Sequence, residues 1–169
     1  KGPNSSFAGR GSSGGAINLI TKQANAERDF TKIDLGFGTD NYQRTTLDTN
    51  KVINDRAAVR LNLLDASRDV PGRAPADRDR RGLLLSGVLK ATDEVTVSAD
   101  YYHLEGRDTP DLGTYFNRVT RQPERNVPVY LQSGSYHLTS TVDTATVKAS
   151  WRLSPSLRLQ NATRIGQTR

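Results

Sequence analysis

Apolar and polar residues alternate along seven stretches of this chain, and on nearly every stretch the odd-numbered positions are the apolar ones. The first, Asp29 to Thr39, sets Ile33, Leu35 and Phe37 against Lys32, Asp34, Gly36 and Gly38. Asp40-Asn41 turns it into Tyr42 to Val52, where Thr45, Leu47 and Thr49 oppose Arg44, Thr46, Asp48 and Asn50. Beyond a turn at Asn54-Asp55, a third stretch places Ala57, Val59, Leu61 and Leu63 opposite Arg60 and Asn62. Gly82 to Ala91 carries Leu83, Leu85 and Leu89, and Thr92-Asp93-Glu94 leads into Val95, Val97, Ala99 and Tyr101 of the fifth. The sixth, Thr144 to Leu153, has Ala145, Val147, Ala149, Trp151 and Leu153 on one side. Ser154-Pro155-Ser156 joins it to the last, with Leu157, Leu159 and Ile165 opposed to Arg158, Gln160 and Arg164. Period two is the mark of a strand with unlike faces, so the pattern predicts an all-β, antiparallel fold.

A soluble sandwich and a transmembrane barrel give the same alternation, since each buries one face of every strand. Mean hydropathy is −0.64, and no apolar run approaches the ~20 residues of a spanning helix, which excludes an α-helical membrane protein. A barrel remains open, because a spanning strand needs only ~10 residues and keeps a polar interior. The 169 residues are also enough to bury an ordinary soluble core. Connection lengths lean towards the barrel. Asn54-Asp55, Thr92 to Glu94 and Ser154 to Ser156 are tight, whereas Arg68 to Arg81 and Glu105 to Val142 are long. From the second turn onward short and long connections alternate, as short periplasmic turns and extended outer loops do. Asp40-Asn41, short but on the outer side, is the exception.

The even-numbered face carries Lys32, Arg44, Arg60, Lys90, Lys148, Arg152, Arg158 and Arg164 against only Asp34, Asp48 and Asp100. Two roles fit such a basic wall: charge-assisted hydrogen bonds to the carboxylates and carbonyls of a body filling the lumen, or attraction of an anionic ligand. On the odd face, Phe37 and Tyr101 fall near the outer strand ends and Trp151 near an inner one, the positions of aromatic girdles. In a sandwich the same three would be core.

The opening of the chain is glycine-rich. Gly9, Gly11 and Gly14 satisfy G-x-G-x-x-G, but that fingerprint needs a strand before it and a helix after it, so that phosphate meets free helix N–H groups. Nothing strand-like precedes Gly9, and Ala16 to Thr21 is β-prone. No Gly-Lys-Ser/Thr ending makes a P-loop. A Ser/Gly linker is one reading; a backbone that turns tightly against a neighbour is the other, and Ile17, Leu19 and Ile20 favour it.

Net charge is +6, yet the basic residues are spread along strands and form no nucleic-acid-binding motif, so nucleic acid is not expected as a partner. Cysteine is absent and His103 and His137 lack ligand spacing, so no metal site is expected. No nucleophile stands beside a base, and no enzyme is expected. The long Glu105 to Val142 connection holds Arg107, Tyr115, Phe116, Arg118, Arg121, Arg125 and Tyr130. These are residues suited to stacking on aromatic rings and pairing with negative charge. Its four arginines are balanced by Glu105, Asp108, Asp111 and Glu124, and Arg68 to Arg81 sets five arginines against three aspartates.

KGPNSSFAGRGSSGGAINLITK, residues 1 to 22, resembles the closing motif of the plug domain in TonB-dependent outer-membrane receptors. It shows a Lys-Gly-Pro start through Gly2 and Pro3, a Gly-Arg-Gly turn at Gly9, Arg10 and Gly11, and a Gly-Gly-x-Ile-Asn strand through Gly14, Gly15 and Asn18, ending Thr-Lys. NYQRTTLDTNKVINDRAAVRLNLL is similar to that family's first barrel hairpins, and VSADYYHLEGRDTPDLG to a strand entering an outer loop. VDTATVKASWRLSPSLRLQNATR is similar to the following pair in the branch handling catecholate ferric siderophores.

The resemblance implies the end of a plug over residues 1–27 and the N-terminal part of a barrel over 28–169. Signal peptide, TonB box and most of the plug are expected upstream, and the seven strands amount to roughly a third of a 22-stranded wall. It implies a bacterial outer-membrane location, with lipopolysaccharide around the outer loops. The cargo it implies is a ferric siderophore, passed inward when the TonB complex of the inner membrane rearranges the plug, with no resident cofactor. Arg107, Tyr115, Phe116, Arg118, Arg125 and Tyr130 are the expected ligand contacts. A receptor for cobalamin, haem or a sugar, a passive porin-like channel and a soluble ligand-binding β-domain are the alternatives.

Overall fold

The computed structural model describes residues 20–124 and 136–169. Seven long strands form one antiparallel sheet: β1 (Phe30–Phe37), β2 (Gln43–Asn54), β3 (Ala57–Asp69), β4 (Asp77–Lys90), β5 (Val95–Thr109), β8 (Leu138–Ser154) and β9 (Leu157–Thr168), each paired with the next. Two further strands, β6 (Phe116–Asn117) and β7 (Gln122–Pro123), make a small separate hairpin between β5 and β8. No helix occurs among the described residues.

Register keeps the two faces distinct across the whole sheet. One row runs Thr31, Thr49, Leu61, Leu85, Tyr101, Ala145 and Ile165, and a neighbouring row runs Lys32, Asp48, Asn62, Leu84, Tyr102, Thr144 and Gly166. Like parity meets like parity in every hairpin, so odd-numbered side chains all stand on one side. Parity fails only at the two bulged inner turns, between Val52 and Asn54 and between Arg152 and Ser154.

The odd face has no apolar layer packed on it. Leu35 is 63% exposed, Leu85 50%, Val147 52% and Trp151 50%. Buried hydrophobic residues among those described are confined to Ala24, Ala58, Ala76 and Leu84, which is no soluble core. The sandwich alternative therefore fails, and the apolar side is the one a bilayer covers.

Strands run further outward than alternation of apolar residues predicts. Arg68 and Arg78 to Arg81 belong to β3 and β4, and Glu105 to Thr109 to β5, so the two long connections shrink to residues 70–76 and 110–137. The reason is electrostatic. Above the apolar band the ladder continues on opposed charges: Asp65 faces Arg81 with an ion pair of 3.3 Å, Arg81 faces Glu105, and Asp79 faces Arg107. Such cross-strand pairs support a sheet as apolar pairs do, but they carry no hydropathy signal.

The first turn is chemically specified. Asp40 and Asn41 both adopt left-handed φ (58° and 52°), the type I′ arrangement that matches strand twist and that Asp and Asn tolerate. Asp69 N donates to Asp40 O at 2.8 Å and Asn41 Nδ2 to Asp69 at 2.6 Å, so this turn is tied to the outer end of β3. The connections at 38–42, 70–76 and 110–137 thus share one end of the sheet.

If hydrocarbon covers the odd face, parity decides the cost of charge. Val147→Arg is expected to destabilise the whole protein by about 2–4 kcal/mol in lipid vesicles, whereas Lys148→Gln one residue on leaves stability unchanged. Guanidinium unfolding followed by tryptophan fluorescence measures both; equal effects at the two positions contradict the assignment of faces.

Candidate functional site

Residues 20–28 cross the even-numbered face as an extended segment. Its backbone groups have no ladder to join, so they take partners from wall side chains. Asn50, 1% exposed, supplies most of them: it accepts from Asn25 N (2.9 Å) and donates to Asn25 O and Arg28 O (2.8 Å each). Ser86, also 1% exposed, donates to Lys22 O at 3.1 Å.

Charge reinforces this seat. Arg60 grips buried Asp48 with two parallel bonds, Nε to Oδ1 and Nη2 to Oδ2, both 2.8 Å, and gives a third N–H to Gln23 O at 2.9 Å. Its planar fork is what permits three directed bonds at once. The guanidinium also lies over the Phe30 ring, 5.1 Å from its centre. Lys22 reaches the same Asp48 at 2.8 Å. Further along the sheet, Thr21 Oγ1 and Gln23 Nε2 both donate to Asp100 Oδ1 at 3.2 Å. Asp100 Oδ2 and both amide atoms of Asn62 are buried with no hydrogen-bond partner among the described residues. Of the basic residues on this face, Arg60 thus meets a carboxylate and a carbonyl. Asn50 and Ser86 carried no signal in the sequence, because small neutral polar residues on a polar face look alike whatever they bind.

The outer end is held by a second set of ion pairs. Arg80 forks onto Asp108, with Nη2 to Oδ2 at 2.9 Å, and Gly106 opposite leaves the space: a Cβ there would stand 3.2 Å from the guanidinium. Arg73 in the 70–76 connection makes two bonds of 2.7 Å to Asp111 in the 110–137 connection. The Arg73 guanidinium, helped by the Gly113 N–H at 2.9 Å, lowers the Asp111 carboxyl to about 2, and the carboxylate in turn raises the Arg73 pKa.

Of the expected ligand contacts, Tyr115, Phe116 and Arg118 stand exposed on the β6–β7 hairpin. Asn117 shapes that hairpin, accepting from Val119 N and Thr120 N and donating to Glu124. Arg107 lies in β5 instead of a loop, on the odd face beside Arg81 and Glu105, apart from the hairpin trio. Arg125 and Tyr130 fall outside the described residues, as do Gly2, Pro3, Gly9, Arg10, Gly11, Gly14, Gly15 and Asn18 of the opening motif. No cluster of His, Asp or Glu able to hold a metal occurs among the described residues.

No family model matches the chain. It is 40% identical over 124 residues to the "Probable TonB-dependent receptor BfrD" of Bordetella pertussis, covering 73% of this chain and 17% of that protein. To the "Probable TonB-dependent siderophore receptor PiuA" of Acinetobacter baumannii it is 33% identical over 138 residues, covering 81% and 18%. The crystal structure of the ferric-catecholate import receptor Fiu from Escherichia coli K12, in its closed form, superposes with a TM-score of 0.86 at 25% identity, over 99% of this chain and 25% of that one. The chain spans about a fifth of the length of the curated relatives it matches. With its parity-sorted sheet matching a segment of a receptor barrel, the chain belongs to the TonB-dependent siderophore receptors of the bacterial outer membrane.

Proposed function

We propose that the whole protein is an active importer of ferric siderophores of the catecholate class. In this reading residues up to 27 are the end of a plug and the sheet is the first part of the surrounding wall. The observation that carries it is the luminal seat of residues 20–28: a polar barrel face that invests Asp48, Asn50, Arg60 and Ser86 in holding one extended segment is built for an occupied lumen. A passive channel gains nothing from such a seat. The relatives' names support the cargo, and the exposed Tyr115, Phe116 and Arg118 suit the flat, negatively charged rings of a catecholate. Arg125 and Tyr130 join them in this proposal, with lipopolysaccharide against the charged outer strand ends. Opening requires force from the TonB complex, and no bond of the cargo is made or broken.

Cells lacking their own catecholate receptors and expressing the whole protein should accumulate ⁵⁵Fe from a ferric 2,3-dihydroxybenzoate complex, and lose that uptake when TonB is deleted. Uptake that persists without TonB contradicts the proposal.

The seat itself is testable. Asn50→Ala leaves Asn25 N–H and two carbonyls, all part-buried, without their partner, at about 1 kcal/mol or more in total. The expected outcome is a lower unfolding midpoint together with greater sensitivity of intact cells to vancomycin, a solute too large for a closed receptor.

At the outer end, the sign of the Asp111 shift fixes the pH window. A carboxyl lowered from 3.8 to about 2 stabilises the folded loops above the unfolded value, and that contribution disappears as pH falls through about 2. Arg73→Ala should move the Asp111 titration, followed by carboxyl-carbon NMR, upward towards the ordinary range, with the Gly113 N–H still holding it below, and should loosen the hairpin that carries Tyr115 and Phe116.

A further inference from the structure

Arg68 on β3 and Arg78 on β4 stand directly opposite one another in the ladder, on the even-numbered face. Like charges in that position destabilise a sheet. Both strands that flank the pair are present, β2 beside β3 and β5 beside β4, so the in-plane surroundings are complete. The carboxylate they offer is Asp108 of β5, which faces Arg78 and lies within electrostatic reach of Arg68, Arg78 and Arg80. Arg80 takes it, forking onto both oxygens. Among the described residues the ion pairs of this end belong to Arg73, Arg80 and Arg81, and none to Arg68 or Arg78.

An aromatic ring stands beside the pair. Tyr42 lies on the same face over β1, in room left by Gly36 and Gly38, where a Cβ would stand 3.4 and 3.3 Å from ring carbons. Tyr42, Arg68, Arg78 and Arg80 line one groove of about 290 Å³. It belongs to the outer mouth. Arg68 and Arg78 are five residues beyond Leu63 and Leu83, a run of about 17 Å at ~3.4 Å per residue. Ser86, on which residues 20–28 are seated, lies eight residues below Arg78 on β4, about 27 Å away along the strand. A ring face beside two opposed guanidiniums has definite chemistry. The ring can stack on a flat partner, and two planar forks can converge on the oxygens of one anion, which removes the repulsion between them.

We infer that Arg68, Arg78 and Tyr42 form a subsite on the barrel wall for an aryl oxyanion, the catecholate ring of the cargo, with the Arg80–Asp108 pair as its fixed edge. The inference rests on the importer reading and deepens it, adding a contact set built on strands to the Tyr115, Phe116 and Arg118 of the hairpin. Strands hold side chains more precisely than loops do. The unfavourable register is the mark of the site: local rules of stability are broken where binding needs them broken, and an anion bound between Arg68 and Arg78 relieves the repulsion that the empty wall carries.

A binding pair and a structural pair respond to neutralisation with opposite signs, and the test uses that. In the whole protein, R68Q/R78Q should unfold at a midpoint no lower than wild type, because a repulsion has gone, while de-energised cells carrying it bind ⁵⁵Fe-loaded ferric 2,3-dihydroxybenzoate about tenfold more weakly. Tyr42→Leu, which keeps both charges and loses the ring, should weaken the same binding about threefold. Unchanged binding in either variant overturns the subsite. So does an R68Q/R78Q protein that unfolds earlier and admits vancomycin, the result expected if these arginines dock carboxylates of a plug. A second readout needs no transport: calorimetry of the purified whole protein with catechol-3,5-disulfonate, an aryl oxyanion without iron, should show binding that R68Q/R78Q abolishes. If wild-type cells take up no ferric complex, the importer reading fails, and the calorimetry alone then decides: binding lost in R68Q/R78Q upholds the subsite, and equal or absent binding overturns it.

Discussion

The structure depends on backbone hydrogen bonds that pair like parity with like across every hairpin of the sheet. Side chains then inherit their environment from a single bit of information, odd or even, from Thr31 on β1 to Ile165 on β9. A slip of one residue in any one hairpin would send the leucines of a strand into the lumen and its arginines into hydrocarbon. The cost of a lone arginine at the bilayer midplane is a few kcal/mol, so several at once exceed the stability of an ordinary domain. Register is therefore policed by the solvent on each side. The bulges at Val52 to Asn54 and Arg152 to Ser154 occur only at inner turns, beyond the reach of that constraint.

A polar wall raises a second problem, which is how to hold anything specifically on a face exposed along its whole height. The seat of residues 20–28 solves it with shape and count. Asn50 makes three hydrogen bonds to backbone atoms and is 1% exposed, so its loss orphans three part-buried backbone groups. Asp48 collects Arg60 from the wall and Lys22 from the segment, so three N–H donors meet its two oxygens. Among the described residues, cations of the even face pair with carboxylates at Asp48, Asp34 and Asp108, while Arg152 and Arg164 on β8 and β9 donate to neutral acceptors.

Sequence alternation disclosed the sheet because bilayer and lumen impose unlike demands on neighbouring residues; it failed where that contrast ends. Above Leu63 and Leu83 both faces are wet, and the strands persist through Asp65, Arg81, Glu105 and Arg107, whose pairing is visible only once register is known. The β6–β7 hairpin was equally hidden, since two-residue strands have no period to detect. Its fold rests on Asn117 caps and a left-handed Arg121. In the luminal site, Arg60 stood out by charge, whereas Asn50 and Ser86 acquire meaning only from what lies on them. Arg107 looked like a loop residue because its neighbours are charged. The ladder makes it part of the outer wall.

The same ladder gives the height of the hydrocarbon band without reference to any lipid. Its upper limit on the odd face is drawn by His103 and Asp143, which hydrogen-bond at 2.8 Å, with Tyr101 one register step below reaching up to the same carboxylate at 2.7 Å. A phenol flanked in register by Leu85 and Ala145, with its hydroxyl on a carboxylate, is an interfacial tyrosine. The lower limit lies at Trp151 and Leu153, beside the Pro155-Ser156 turn. From Asp143 to Leu153 along β8 is ten residues, about 34 Å of strand, and a tilt of ~40° projects this to about 26 Å along the membrane normal. Outer-membrane barrels present an apolar band about 25 Å tall. Side-chain chemistry on one strand therefore returns the thickness of the membrane that the strand is built to cross.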